Sequence, residues 1–308
     1  MYTEKTSGRG KRKRRGMRDS LSDRIFYAIN GTIMLLLALI VIYPLWYMLI
    51  ASISSPEALF AGEVYLLPKQ ITWLGYERLF QTERIVRSFL NTVLYTLTGT
   101  AFSLLLTITC GWALSRKEMP FRKAIMILFI ITMFFSGGMI PYYLTIRNLQ
   151  LLNNPLVMII PGAVSAWNVF MTKAFYTSAI PKELVEAAGI DGADKLKTFV
   201  RIILPLSAPI IAVMALISAV GKYNNYFDSM MFLQRVPEWH SLQYVIYELI
   251  INIESIGSGS SGTNVENEQL KELLKYSSII VSTIPILSVF PFTQKYFSQG
   301  MMIGSVKD

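Results

Sequence analysis

The residues that could do chemistry lie in two short stretches. The first, residues 183–209, reads ELVEAAGIDGADKLKTFVRIILPLSAP; it is charged, rich in small residues, and broken by Gly189, Gly192, Pro205 and Pro209. The second, Gly221–Phe232, reads GKYNNYFDSMMF. There Tyr223, Asn224, Asn225 and Tyr226 combine aromatic faces with amide groups, which suits sugar rings and hydroxyls. The same four suit the aromatic belt of a membrane interface, so both readings stand. Conventional catalytic sets are missing from the sequence. His240 is the only histidine and Cys110 the only cysteine, which leaves no metal-ligand cluster and no intrachain disulfide. There is no GxxxxGK[ST] phosphate loop and no nucleophile elbow. The Ser136-Gly137-Gly138 triplet lies inside an apolar run and is a chance match to part of an ATPase signature. An integral-membrane enzyme would show acidic or histidine clusters at a membrane face, and none is seen.

The first stretch reads as a helix, a turn and a helix. Pro181 suits a first helical turn, and Glu183 suits the positive end of the helix dipole. Glu186, Ala187 and Ala188 continue the helix with little bulk, and Gly189 can end it. Asp191 is the expected N-cap of the next helix, with Asp194 three residues on. Ala193, Leu196, Phe199, Val200 and Ile203 form its apolar face, and Pro205 marks where it meets a longer apolar helix. A helix of about nine residues is marginal alone in water. The small-residue face and glycine turn therefore suit insertion into a groove on a partner protein; an ordinary interfacial loop is the plain alternative.

The surrounding elements are apolar. Of 308 residues, 53% are hydrophobic and 16% charged, with a mean hydropathy of +0.43; soluble domains carry about 25% charge. Six uncharged gaps, of 32, 28, 23, 25, 20 and 19 residues, follow Arg24, Arg87, Lys123, Arg147, Arg201 and Lys275. About 20 apolar residues cross a bilayer as a helix, so the expectation is an all-α integral membrane protein with six transmembrane helices. These are placed at about 25–52, 88–114, 123–145, 155–176, 205–230 and 274–294. Gly137, Gly138 and Pro141 are expected to loosen the third.

Lys and Arg counts orient the chain. With the N-terminus inside, the inner segments carry 20 basic residues and the outer ones 9. This predicts N-in/C-in and puts residues 180–205 in the cytoplasm. The basic tail, residues 1–24, is expected to be disordered. Its KRKRR run (residues 11–15) could touch nucleic acid, but beside a membrane helix the favoured reading is membrane lipid and no nucleic acid. The first apolar run is too long for a cleavable signal peptide. The outer loop 231–274 has apolar residues Leu242, Val245, Ile246, Leu249, Ile250 and Ile253 at helical spacing. That helix would lie on the membrane or on the bundle. SIGSGSSGTNVENEQ then follows with linker composition. The uncharged gaps lack the intramembrane acid or arginine that a proton-coupled carrier uses, so the energy for any transport should come from elsewhere.

Glu186-Ala187-Ala188, three residues, Gly192, nine residues, Ile202, one residue, Leu204-Pro205 is the spacing that resembles the EAA loop of permease subunits in binding-protein-dependent ABC importers. FFSGGMIPYYLTIRNLQLLNNPLVMIIPGAV and the end PFTQKYFSQGMMIGSVKD are similar to the carbohydrate branch, especially permeases for complex oligosaccharides or polysaccharide fragments. The likeness covers residues 25–308.

That resemblance implies a type I ABC importer transmembrane subunit in a bacterial cytoplasmic membrane. Its partners would be a second homologous permease, two ATPase subunits and an extracytoplasmic sugar-binding protein. The chain would hold no cofactor itself; ATP and Mg would sit on the ATPases. Glu186, Ala187, Ala188, Asp191 and Gly192 would form the ATPase-coupling contact, and Tyr223, Asn224, Asn225 and Tyr226 the substrate path. The family often has Trp-Asn where this chain has Tyr223-Asn224, which weakens inference about the sugar. An ABC permease for another solute and a secondary carrier are the rival readings.

Overall fold

The computed structural model describes residues 20–257 and 265–305, and these are helical with no strand among them. Most of the basic tail, including residues 11–15, and residues 258–264 of the expected linker lie outside the described residues, whereas the rest of that linker is helical. The chain divides into two compact units between Tyr47 and Met48.

Helix α1 covers Leu21–Ser52, so it takes in the last residues expected in the tail. Its start is a reciprocal cap: Ser20 N–H donates to Asp23 Oδ2 at 3.0 Å, and Asp23 N–H donates to Ser20 Oγ at 3.2 Å. That satisfies two amides that a helix start otherwise leaves bare. Leu36, Ile40 and Val41 are exposed, as a lipid-facing helix requires.

From Met48 onward come α2 (Pro56–Phe60), α3 (Leu74–Gln81), α4 (Glu83–Ser115), α5 (Arg122–Phe134), α6 (Met139–Asn148), a 3₁₀ turn (Pro155–Met158) and α7 (Ala166–Ala179). Next are α8 (Lys182–Ile190), α9 (Lys195–Thr198), a π-type turn (Phe199–Ile203), α10 (Leu204–Leu206) and α11 (Ala208–Tyr223). The chain continues with α12 (Phe227–Phe232), a 3₁₀ turn (Pro237–Trp239), α13 (Leu242–Gly257) and α14 (Val265–Ser305).

Among the described residues two helices, α1 and α4, are long and apolar enough to cross a membrane. The segment Lys195–Leu206 and α11, bent by 79°, make a third if counted together. The expected third, fourth and fifth spans are interrupted, each for a local reason. Gly138, at φ +83°, separates α5 from α6. Gly162, at φ +66°, follows Pro161 in the turn before α7. Asn224 caps α11, and Asn225 Oδ1 accepts the Asp228 N–H at 3.2 Å, turning the chain into α12.

Helix α4 is the central element; α7 and α11 both pack along it. Its 33 residues make it about 50 Å long. Small residues mark the approaches. A Cβ on Gly111 would stand 2.6 Å from Thr172 Cγ2 of α7. Ser103 and Ser218 share a hydroxyl hydrogen bond of 3.2 Å between α4 and α11. Close backbone approach through small residues is how apolar helices gain contact where lipid offers no hydrophobic drive.

At the Glu83 end, α4 grips a loop by its backbone. Asn91 Nδ2 donates to Glu238 O (2.8 Å) and His240 O (3.2 Å). Tyr95 OH donates to Trp239 O at 2.9 Å, and Leu242 N–H donates to Thr92 Oγ1 at 2.8 Å. Helix α13 then buries Leu242, Val245 and Ile246 against Leu79 and Ile85. The amphipathic face thus lies on the bundle. Helix α14 packs against α13 as well, and its Ser277 Oγ donates to Ser52 O at 3.3 Å.

The Gly111 contact generates a stability test. Gly111→Ala overfills a closed contact and should destabilise by about 1–3 kcal/mol. Gly221→Ala sits in α11 with nothing within 4 Å of its new Cβ, so helix propensity should leave it neutral or up to about 1 kcal/mol more stable. Thermal unfolding of the purified protein in detergent checks both; equal effects at the two sites would contradict the packing account.

Candidate functional site

The hairpin α8–α10 is built by two caps in succession. Pro181, in extended conformation, precedes α8. The helix ends in a Schellman turn: Ala193 N–H donates to Ala188 O at 2.9 Å and Gly192 N–H to Gly189 O at 3.1 Å. Gly192 takes φ +75°, the left-handed position that such a turn reserves for glycine. Asp194 caps the next helix, its Oδ1 accepting the Lys197 N–H at 2.6 Å. This corrects two expectations. The first helix runs to Ile190 rather than ending at Gly189, and Asp191 is its C-cap, not the next N-cap. The Schellman turn uses the residues that a tighter turn would have spared.

Helix α9 does not present one buried face. Ile203 and Thr198 are buried, but Leu196 and Val200 are exposed. The π-type turn shifts the register, so spacing that assumes 3.6 residues per turn misplaces them. Phe199 stacks at 6.2 Å on Trp112 of α4, which meets Tyr176 of α7 edge-on at 5.5 Å. Arg116 Cζ lies 5.2 Å from the same indole. Ile108, Tyr176, Ile180 and Ile203 make the small core beneath the hairpin.

Of the expected coupling residues, Glu186, Ala187, Asp191 and Gly192 are exposed, while Ala188 is buried and packs inward. Two residues were missed. Ile190 is 88% exposed and Leu196 70% exposed, flanking the glycine turn. The available signal was two aliphatic side chains beside a turn in an otherwise polar stretch. A cavity of about 840 Å³ opens between the hairpin and the Ser115 end of α4, lined by Trp112, Arg116, Met119, Val185, Leu196 and Phe199. An apolar rim, a glycine turn and exposed carboxylates can receive a protein surface.

The second stretch lies beyond α11. Tyr223 is buried and its hydroxyl donates to Ser282 O at 2.9 Å, tying α11 to α14. Asn225 Nδ2 donates to Asp228 Oδ2 at 2.6 Å, so this amide is committed to the turn. Asn224 and Tyr226 are exposed. Gln243 Nε2 lies 3.5 Å from Asn224 Oδ1. The Tyr226 ring lies 5.0 Å from that of Tyr247, tilted by 32°, and the two are 39% and 38% exposed. The structure thus separates the four residues: Tyr223 and Asn225 hold the fold, while Asn224 and Tyr226 join Gln243 and Tyr247 of α13 in an accessible aromatic and amide platform. Gln243 and Tyr247 were not foreseen, because they reach the site only through the docking of α13.

One charged cluster borders that docking. Arg84 bonds Glu248, beside Tyr247, and donates to His240 Nδ1 at 3.2 Å. Arginine only donates, so Nδ1 is the acceptor and Nε2–H donates to Leu233 O at 3.0 Å. Burial, foremost, pushes the His240 pKa down; the Leu233 carbonyl raises it, Arg84 lowers it, and Glu248 and Glu238 raise it.

A family model described as binding-protein-dependent transport system inner membrane component matches residues 7–227. The chain is 34% identical over 291 residues to the polygalacturonan/rhamnogalacturonan transport system permease protein YtcP of Bacillus subtilis (strain 168), covering 94% of this chain and 100% of the relative. It is 35% identical over 292 residues to protein LplC of the same organism, covering 94% and 98%. A crystal structure of a bacterial ABC transporter involved in import of the acidic polysaccharide alginate contains a chain that is 31% identical, with a TM-score of 0.83 over 91% of this chain and 99% of that one. Another, of a bacterial alginate ABC transporter in complex with an alginate pentasaccharide-bound periplasmic protein, shares the fold at 18% identity and a TM-score of 0.58, over 88% and 93%.

The histidine cluster sets a pH dependence. The folded pKa lies below the unfolded value of about 6.5, so the unfolded chain takes up the proton first. The stability contributed by neutral His240 is complete above that value and is lost as pH falls through it. Thermal stability should therefore fall between about pH 7.5 and pH 5.5, and His240→Gln should flatten that part of the profile. An unchanged slope in the variant would remove His240 from the explanation.

Proposed function

The chain belongs to the family of binding-protein-dependent transport system inner membrane components, and from that premise we propose that it passes acidic oligosaccharides from an extracytoplasmic binding protein into the cytoplasm. It is a permease component of an ABC importer. In this reading a second permease completes the path, and two ATPase subunits bind ATP and Mg and do the hydrolysis. The N- and C-termini lie inside the cell, with the hairpin α8–α10 at the cytoplasmic face.

The observation that carries the coupling role is the exposed hairpin: a Schellman turn at Gly192 with Ile190 uncovered on one side and Leu196 on the other. Covering one such side chain is worth about 1.5–3 kcal/mol, so a docked partner gains where solvent exposure loses. ATP-driven closure of the ATPases would move the two hairpins of a permease pair together and open the path outward; hydrolysis would reset it.

The acidic substrate class is supported by the relatives, whose names include polygalacturonan/rhamnogalacturonan transport and alginate import. The platform of Asn224, Tyr226, Gln243 and Tyr247 offers ring faces and amides suited to pyranose rings.

Reconstitution with the partner permease, ATPase and binding protein tests this. Oligogalacturonates should stimulate ATP hydrolysis and enter vesicles, whereas neutral maltodextrins should do neither; the reverse preference would reject the acidic class. Adding bulk at Gly192 would also strain its backbone, so Gly189→Trp is the cleaner probe, since a Cβ there has nothing within 4 Å. It should cut uptake by about tenfold or more with the fold retained by thermal melting. Uptake at the normal rate would sink the coupling role. Tyr226→Ala and Tyr247→Ala should each raise the half-saturating sugar concentration about fivefold, the equivalent of about 1 kcal/mol; unchanged values would place the path elsewhere.

A further inference from the structure

Lys222 lies in the last turn of α11, where the function described above gives it no part. Its ammonium donates to three backbone carbonyls of one short segment: Met158 O at 3.1 Å, Ile159 O at 3.0 Å and Pro161 O at 3.0 Å. That segment is the unwound chain between the 3₁₀ turn and α7, with Gly162 at φ +66°. Its own backbone bonds use different acceptors: Ile160 N–H donates to Leu156 O and Ala163 N–H to Ile160 O. The lysine takes carbonyls that the unwinding leaves over.

The placement is as telling as the bonds. Helices α7 and α11 are the two arms that flank the hairpin α8–α10 in the chain. Near the hairpin they are held by the core of Ile108, Tyr176, Ile180 and Ile203. At the opposite end of α11, Lys222 ties that arm to the segment leading into the other. Helix α4 makes room for the tie: a Cβ on Gly99 would stand 3.2 Å from Lys222 Cδ and Cε.

We propose that Lys222 is a positioning residue that locks the two arms of the coupling hairpin together at their far end, so that a push on the hairpin displaces them as one lever. An ammonium has three donors, and all three are spent, so none is left for a substrate carboxylate. Opening the lock would leave a half-buried charge and three carbonyls without their partners, and buried polar groups left unpaired cost free energy. A joint of that kind stays shut through a working cycle. The carboxylate of Asp228 adds its field, and it is itself held by Asn225 and Tyr142.

The proposal rests on the reading of the chain as an ATP-coupled importer, and the test uses the whole complex in proteoliposomes. Lys222→Met keeps the apolar stem and removes the donors. It should raise the ATP consumed per sugar delivered by about tenfold while leaving the half-saturating concentration of loaded binding protein unchanged. Lys222→Arg, which keeps a charged donor, should recover part of the ratio. Amide exchange over residues 159–166 should quicken in Lys222→Met with or without sugar. Gly99→Val, which crowds the stem and keeps the lysine, should move the ratio in the same direction and serves if the methionine variant does not assemble. A normal ATP cost per sugar in either variant, or unchanged amide exchange, overturns the lock. A raised half-saturation at normal ATP cost also overturns it and makes Lys222 a substrate contact. If the wild-type complex moves no saccharide, the importer reading fails; the exchange comparison then still decides the lock.

Discussion

The approach of α7 to α4 at Gly111 is the contact on which the rest of the structure depends. With a Cβ there only 2.6 Å from Thr172 Cγ2, no other residue lets the two backbones sit at this distance without a shift. The distance in turn sets where Tyr176 reaches the Trp112 ring, and Trp112 sets where Phe199 of the hairpin can stack. The position of the exposed hairpin therefore follows from packing at Gly111, the residue of α4 next to Trp112. Apolar side chains alone could not specify this, because lipid competes with them on equal terms. Small residues and hydroxyls supply the discrimination, as at Ser103 and Ser218.

A second constraint follows from the first. Helices that pack this closely leave little room for loops, yet the chain unwinds at Gly138, Gly162 and Asn224. In hydrocarbon every freed amide and carbonyl needs an internal partner. Side chains meet much of the demand. Lys222 serves three carbonyls, Tyr223 OH serves Ser282 O, and Asn91 and Tyr95 serve the 238–240 backbone. Polar residues that look like candidates for chemistry are thus often committed to the backbone. Tyr223 and Asn225 are of this kind, and Asn224 and Tyr226 are not.

The same distinction explains what the sequence made legible. The spacing from Glu186 to Pro205 carried the family and the hairpin, because caps and glycine turns act over a few residues. The charge gaps carried the helical, membrane-spanning character. The breaks within gaps were legible only at Gly137–Gly138, where the backbone signal is local. Asp191 and the α9 face were misread, since a Schellman turn and a π-type turn each shift register by a residue or more without a strong compositional mark. Gln243 and Tyr247 were invisible as site residues: they meet Asn224 and Tyr226 only after Arg84 has engaged Glu248 and α13 has buried Leu242. Lys222 read as the end of a gap, because nothing local announces three carbonyls more than 60 residues upstream.

Helix α8 also shows how little free energy holds an exposed short helix in place. Nine residues do not sustain a helix in water. The structure supplies a C-terminal turn with two extra hydrogen bonds and one buried methyl group, at Ala188. Each net hydrogen bond contributes about 0.5–1.5 kcal/mol, less than the roughly 1.5–3 kcal/mol that covering Ile190 or Leu196 would return. The hairpin is thus shaped before a partner arrives but not saturated with contacts. A segment held more tightly would already have buried those side chains and would have less to gain from docking; one held more loosely would lose the gain to ordering entropy. Its small residues and uncovered aliphatic rim follow from that balance.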